Sequence, residues 1–181
     1  MVEEALRQEM LDLMPRLRRY AYGLAGNHAD ADDLLQKTYE KALEHLSDWQ
    51  AGTRLDSWMF KITRNLFLNH VRAVAVRRNA APQLVRDQPA SHDGVSDMEG
   101  RITLERTRAL VAKLPEEQRS VLLLVAVEGL AYHEAAEVLG LPAGTVASRL
   151  GRARRTLRDW LNPAAPETPP ALHLLRKEVP S

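Results

Sequence analysis

The stretch Leu130 to Trp160, LAYHEAAEVLGLPAGTVASRLGRARRTLRDW, decides the fold. Tyr132 to Leu139 keeps helical spacing and stops at Gly140, a residue that tolerates the left-handed conformation of a helix end. Leu141-Pro142 turns the chain, and Ala143 to Trp160 reads as a second, longer helix. A short helix, a tight glycine-containing turn and a longer helix make the helix-turn-helix layout, whose second helix enters the DNA major groove. Thr145 and Ser148 place short hydroxyls near the start of that helix. Arg149, Arg152, Arg154, Arg155 and Arg158 follow with no acid before Asp159. Val146, Leu150, Ala153 and Leu157 form the inward stripe, with Trp160 a candidate to continue it. The plainer reading is an ordinary helix pair with a solvated arginine face near a helix C-terminus. The turn, the hydroxyls and the unbroken basic face together favour nucleic acid.

The rest of the sequence also reads as helix. Ile102 to Leu114 is one segment, and Pro115-Glu116-Glu117 opens another, with proline and acids suited to a first turn. That helix, to Val127, is apolar nearly all round and belongs at the centre of its domain. Upstream, Leu6, Met10, Leu13, Leu17 and Leu24 keep a near-helical period that Pro15 interrupts, as a kink or as the first turn of a new helix. Gly23 and Gly26 are read as its end. Asn27 and Asp30 offer cap oxygens, and Leu35, Tyr39, Ala42 and Leu46 form the next stripe. A third helix follows with Leu55, Met59, Ile62 and Leu66 inward and Trp58 beside them, and it extends toward Arg78. Between the halves, Pro82, Pro89, Gly94 and Gly100 interrupt a polar stretch with no sustained period, which reads as a linker. Five of the ten prolines fall after Asn162, so the end reads as an extended tail. The fold class expected is all-α: two small helical domains joined by a flexible linker, the C-terminal one a helix-turn-helix. The boundaries are 1–79, 80–100, 101–161 and 162–181.

Composition excludes several classes of function. With no cysteine, the chain holds no disulfide, thiolate zinc site or cysteine nucleophile. A 45% hydrophobic share supports a core. No apolar run reaches the length of a membrane span, and the acidic N-terminus lacks the marks of a signal peptide, so a cytoplasmic protein is expected. The histidines are scattered without metal-ligand spacing, and no phosphate loop or nucleophile motif occurs, so no enzyme, metal or cofactor is expected. The formal net charge of +1, from 25 basic and 24 acidic residues, hides a concentrated basic face balanced by acids elsewhere.

Leu114 to Arg158 (LPEEQRSVLLLVAVEGLAYHEAAEVLGLPAGTVASRLGRARRTLR) resembles the promoter-binding C-terminal domain of extracytoplasmic-function (ECF) sigma factors. Asp30 to Tyr39 (DADDLLQKTY) resembles the polymerase-binding helix of that family, and Trp58 to Asn69 (WMFKITRNLFLN) its helix that reads the −10 promoter element. The resemblance implies core RNA polymerase (β′ and β subunits), promoter DNA and an anti-sigma factor as partners, with no catalytic chemistry and no membrane insertion. By position it assigns Asp32, Asp33, Leu34, Gln36 and Thr38 to core polymerase. It assigns Arg64, Asn65, Asn69 and Arg72 to the −10 element, and Thr145, Ser148, Arg149, Arg152 and Arg155 to the −35 element. The physical reading agrees in part. An acidic helix face can meet a basic partner, although the same aspartates could simply charge a helix N-terminus. Asn65 offers a donor and an acceptor to a base edge. Ala147, Lys37 and Gly151 depart from the family pattern. Two other functions compete: a stand-alone helix-turn-helix regulator, which leaves the first domain unexplained, and a sigma-like mimic that binds only protein.

Overall fold

The computed structural model describes residues 2–50, 52–80 and 98–162. Among these residues eight α-helices run in order: α1 Val2–Asp12, α2 Met14–Ala25, α3 His28–Glu44, α4 Leu55–Ala80, α5 Met98–Lys113, α6 Glu116–Leu122, α7 Tyr132–Leu139 and α8 Ala143–Leu161. No strand occurs among the described residues. The expected all-α class is met.

The N-terminal half is built around α4. Pro15 sits in the first turn of α2, where its missing N–H is not needed. Gly26, at φ +83°, closes α2 by donating its N–H to the Tyr22 carbonyl at 2.8 Å. Gly23 does not end the helix as its sequence context implied; it lies inside α2. Asn27 caps α3 by accepting the Asp30 N–H at 2.9 Å. Ala31, Leu34, Leu35, Thr38 and Ala42 face inward from α3, a stripe that begins earlier than Leu35. From α4, Leu55, Met59, Phe60, Thr63 and Phe67 are buried. Phe60 meets Tyr20 edge-on with ring centroids 5.1 Å apart. Trp58 packs against this core, as its helical spacing suggests.

The C-terminal half is a compact helix cluster. Pro115 precedes α6, and Glu116 and Glu117 occupy its first turn. The apolar run expected as one helix to Val127 changes character at Leu123, where Leu123–Val127 widen into a π-helical turn. There Glu128 N–H reaches the Leu123 carbonyl at 2.9 Å. Gly140, at φ +63°, makes the turn between α7 and α8. Val146, Leu150 and Ala153 are the buried stripe of α8, as expected. Trp160 does not continue that stripe: it and Leu161, in the last turn of the helix, stay exposed. Helix α5 begins at Met98, earlier than Ile102. Most of the expected linker, 81–97, and all of the expected tail beyond Asn162 lie outside the described residues.

The two halves are packed on one another through α2 and α4 on one side and α5, α6, the π turn and α7 on the other. Their buried residues form one continuous core.

Candidate nucleic-acid and polymerase interfaces

The −35 group occupies one face of α8. Thr145, Ser148, Arg149, Arg152 and Arg155 recur at spacings of three and four residues, which places them in one row. Arg152 and Arg155 are exposed. Ser148 donates its hydroxyl to the Thr145 carbonyl at 3.0 Å, and Thr145 is half-buried at the helix start. Arg149 is turned toward Glu117 at 2.8 Å. Gly151 is exposed with open space around it.

The −10 group lies along α4. Asn65, Asn69 and Arg72 are exposed at i, i+4 and i+7 and share a face. Arg64 points elsewhere. Its side chain is only 14% exposed and its Nε lies 3.4 Å from Glu116 of α6. Arg119 of the same helix lies over the Phe67 ring, 5.4 Å from its centroid. Burial lowers its pKa below the usual arginine value.

The polymerase group on α3 divides. Asp32, Asp33 and Gln36 are exposed, and Asp32 pairs with Arg18 at 2.9 Å. Leu34 and Thr38 are buried. The Thr38 hydroxyl donates to the Leu34 carbonyl at 2.8 Å and lies 3.3 Å from that of Thr63. Positions 34 and 38 fall on the same helical face as Ala31 and Ala42, so they shape this surface from beneath. Beside it, Asp33, Lys37, Phe67, Val71 and Val74 line a cavity of about 350 Å³ between α3 and α4. Among the described residues no cluster of histidine and carboxylate groups is placed to hold a metal ion, and no helix is long and apolar enough to cross a membrane.

One ionic cluster escaped the sequence. Arg16 and Arg19 of α2 both reach Glu128, which follows the π turn in the other half. Arg16 also binds Asp56 at 2.9 Å, Arg54 binds Asp56 at 2.6 Å, and Arg54 pairs with Glu134 of α7. Arg16 and Glu128 are 112 residues apart, and no local pattern announces such a partnership.

Asp56 carries a pH dependence. Burial opposes its ionisation, but hydrogen bonds from Arg54 and Arg16 outweigh that and hold its pKa below the ordinary carboxylate value. Its stabilising contribution is complete above the unfolded pKa of about 4 and is lost as pH falls through the lower folded value. Asp56→Asn should therefore lower the urea midpoint at pH 7, with a deficit that shrinks below pH ~4, where the unfolded wild-type chain takes up a proton that folded Asp56 still resists. An equal deficit at pH 7 and at pH ~3 would show that the charge contributes nothing.

Comparison with known proteins finds two family matches along the chain. The family "Sigma-70 region 2" matches residues 10–77, and "Sigma-70, region 4" matches residues 104–157. The ECF RNA polymerase sigma factor EcfG of Rhodopseudomonas palustris is 36% identical over 158 residues, covering 87% of this chain and 86% of that protein. The ECF sigma factor SigE of Mycolicibacterium smegmatis is 37% identical over 156 residues, covering 84% of this chain and 60% of that one. The co-crystal structure of the sigma factor RpoE with the anti-sigma factor NepR from Bartonella quintana superposes with a TM-score of 0.79 at 29% identity, covering 90% of this chain and 99% of that one. An arginine-faced helix-turn-helix, an acidic α3 and an asparagine-bearing α4, matched in order along most of the length of such relatives, place this chain in the family of ECF RNA polymerase sigma factors.

Proposed function

We propose that this chain is a promoter-specificity subunit of bacterial RNA polymerase, working in the cytoplasm under the control of an anti-sigma protein. Residues 1–79 would bind core polymerase and the −10 element, residues 101–161 the −35 element, with 80–100 as linker and 162–181 as tail. It has no catalytic chemistry of its own. The observation that carries this reading is the exposed row of Arg152 and Arg155 on the second helix of a helix-turn-helix. Arginine can bind guanine through two hydrogen bonds, while phosphate contacts position without specifying. Arg152 and Ser148 are assigned to bases, and Thr145, Arg149 and Arg155 to phosphates. Asn65 is the reader of an unstacked base of the −10 strand, with Arg64, Asn69 and Arg72 around it. Asp32, Asp33 and Gln36 would face a basic helical surface of the polymerase β′ subunit, with Leu34 and Thr38 fixing the shape of that face. The neighbouring groove, lined by Val71 and Val74, offers apolar area to the same partner. A protein-only mimic is disfavoured, because it would have no use for a free arginine row.

The test combines the chain with core polymerase and a promoter library and sequences the run-off transcripts. Transcription from a defined promoter class is expected. Its absence, together with failure to bind core, would overturn the reading. In the same assay Asp33→Arg should weaken core binding at least about tenfold, since like charges set against a basic partner cost more than a kcal/mol. It should leave the preferred promoter sequence unchanged. A changed promoter preference with intact core binding would reassign α3.

A further inference from the structure

Arg54 stands at the threshold of α4, and its carbonyl accepts the Trp58 N–H at 3.2 Å. Lys61, Asn65 and Arg72 follow it along the helix at i+7, i+11 and i+18. At about 3.6 residues per turn these separations are close to whole turns, so the four side chains share one row. All four are exposed. The row thus runs past Asn65 on the side away from Arg72. A rise of about 1.5 Å per residue puts Arg54 roughly 16 Å from Asn65 along the axis.

Arg54 is held in one orientation. Its Nε and Nη2 both donate to Asp56, at 3.0 and 2.6 Å. Asp56 is fixed in turn by the Ser57 N–H at 2.8 Å and by Arg16 at 2.9 Å. A planar guanidinium gripped along one side keeps its opposite edge aimed in a set direction. That edge is anion-seeking: Nη1 pairs with the carboxylate of Glu134. Charge points the same way. Within the N-terminal half the single carboxylate of Asp56 lies between two guanidinium groups, those of Arg16 and Arg54, and neutralises only one of them. Arg54 keeps 48% of its side chain exposed, against 10% for Asp56.

We propose that Arg54 is a further promoter contact: oriented by Asp56, it binds a backbone phosphate of the unpaired −10 strand, beyond Asn65 on the side away from Arg72. The Glu134 carboxylate marks where a phosphate oxygen would sit. Asp56 is a positioning residue and touches no DNA. Phosphate contacts place a strand without reading it, so Arg54 adds affinity and leaves promoter preference unchanged. This inference rests on the promoter-recognition reading and on the assignment of Asn65 to the −10 strand.

The test uses core polymerase saturated with the wild-type chain, Arg54→Gln, Arg54→Lys or Asp56→Asn. Each complex is bound to promoters that carry one neutral methylphosphonate at a time along the unpaired −10 strand. Wild type should lose about tenfold in affinity at one position, the effect of one hydrogen bond between charged groups. Arg54→Gln should bind the unmodified promoter about tenfold more weakly and show no further loss at that position. Its salt slope should be smaller by about 0.7, the share of one single-strand phosphate. Arg54→Lys keeps the charge but not the planar fork, so it should restore the slope and only part of the affinity. Asp56→Asn leaves Arg54 charged but unoriented, so the penalty at the same position should shrink; an unchanged penalty would overturn the part given to Asp56. Identical methylphosphonate profiles for wild type and Arg54→Gln, or a wild-type profile with no sensitive position, would overturn the proposal and leave Arg54 as a partner of Asp56 alone. Failure of the wild-type complex to bind any promoter counts against the function; a bound wild-type complex with an unshifted profile in Arg54→Gln counts against Arg54 only.

Discussion

Arg152→Ala should lower discrimination at the −35 element by about 1–3 kcal/mol, roughly 5- to 150-fold in the preference between matched and mismatched promoters. The residue is exposed in the middle of the α8 row, and the stripe of Val146, Leu150 and Ala153 holds the opposite side of the helix in the core. The backbone is therefore fixed, and the side chain is free to reach a base edge. Core binding should not change, because Arg152 lies on a different helix from the acidic face of α3. Arg154→Ala is the matched control: it removes the same charge from an exposed position two residues away, on another side of α8. If both variants lowered transcription uniformly over all promoters, and each reduced the salt slope of binding by about one, Arg152 would be a phosphate contact only.

Phe60→Ala should cost about 3–5 kcal/mol, a large part of the roughly 5–15 kcal/mol that holds a domain of this kind together. Phe60 is 0% exposed. Its ring meets Tyr20 edge-on, and the Arg16 guanidinium lies 5.3 Å from its centroid. The loss thus combines a large buried area, a cavity and an aromatic pair that itself contributes about 0.5–1.5 kcal/mol. Tyr20 is fully buried, which raises its phenol pKa well above the ordinary value, and it cannot move out to fill the space. Urea unfolding followed by circular dichroism measures the change. A loss below about 1 kcal/mol would mean that the N-terminal half repacks freely around α4.

The local elements were legible because each depends on nearby residues. Asn27 before α3, Gly26 after α2 and Gly140 after α7 act within one turn of where they stand, and the sequence names them correctly, whereas Pro15 announces either a kink or a new helix and the structure places it in the first turn of α2. The buried stripe of α8 follows from its period alone. The misreadings arose where tertiary contact outranked local preference. Gly23 reads as a helix stop because glycine weakens helices, but it sits inside α2 where the other half comes too close for a side chain. Leu34 and Thr38 match a surface motif by position, yet the register of α3 against α4 turns them inward. The run from Val121 to Val127 reads as one buried helix, and nothing in its composition shows that it widens at Leu123.

The exposed faces proposed for recognition were legible for a similar reason. Arg152, Arg155, Asn65 and Asp33 lie on single helices, and helical periodicity places each on an outer face without reference to the rest of the chain. Sequence by itself determined the all-α class, the helix-turn-helix and the basic row. Tertiary structure alone decided the availability of those surfaces. Arg64 is screened by Glu116, and Glu128 joins Arg16 across 112 residues, because charge and shape complementarity between distant segments has no period to reveal it. A helix is specified by neighbours three and four residues away. A contact between domains is specified only once both surfaces exist.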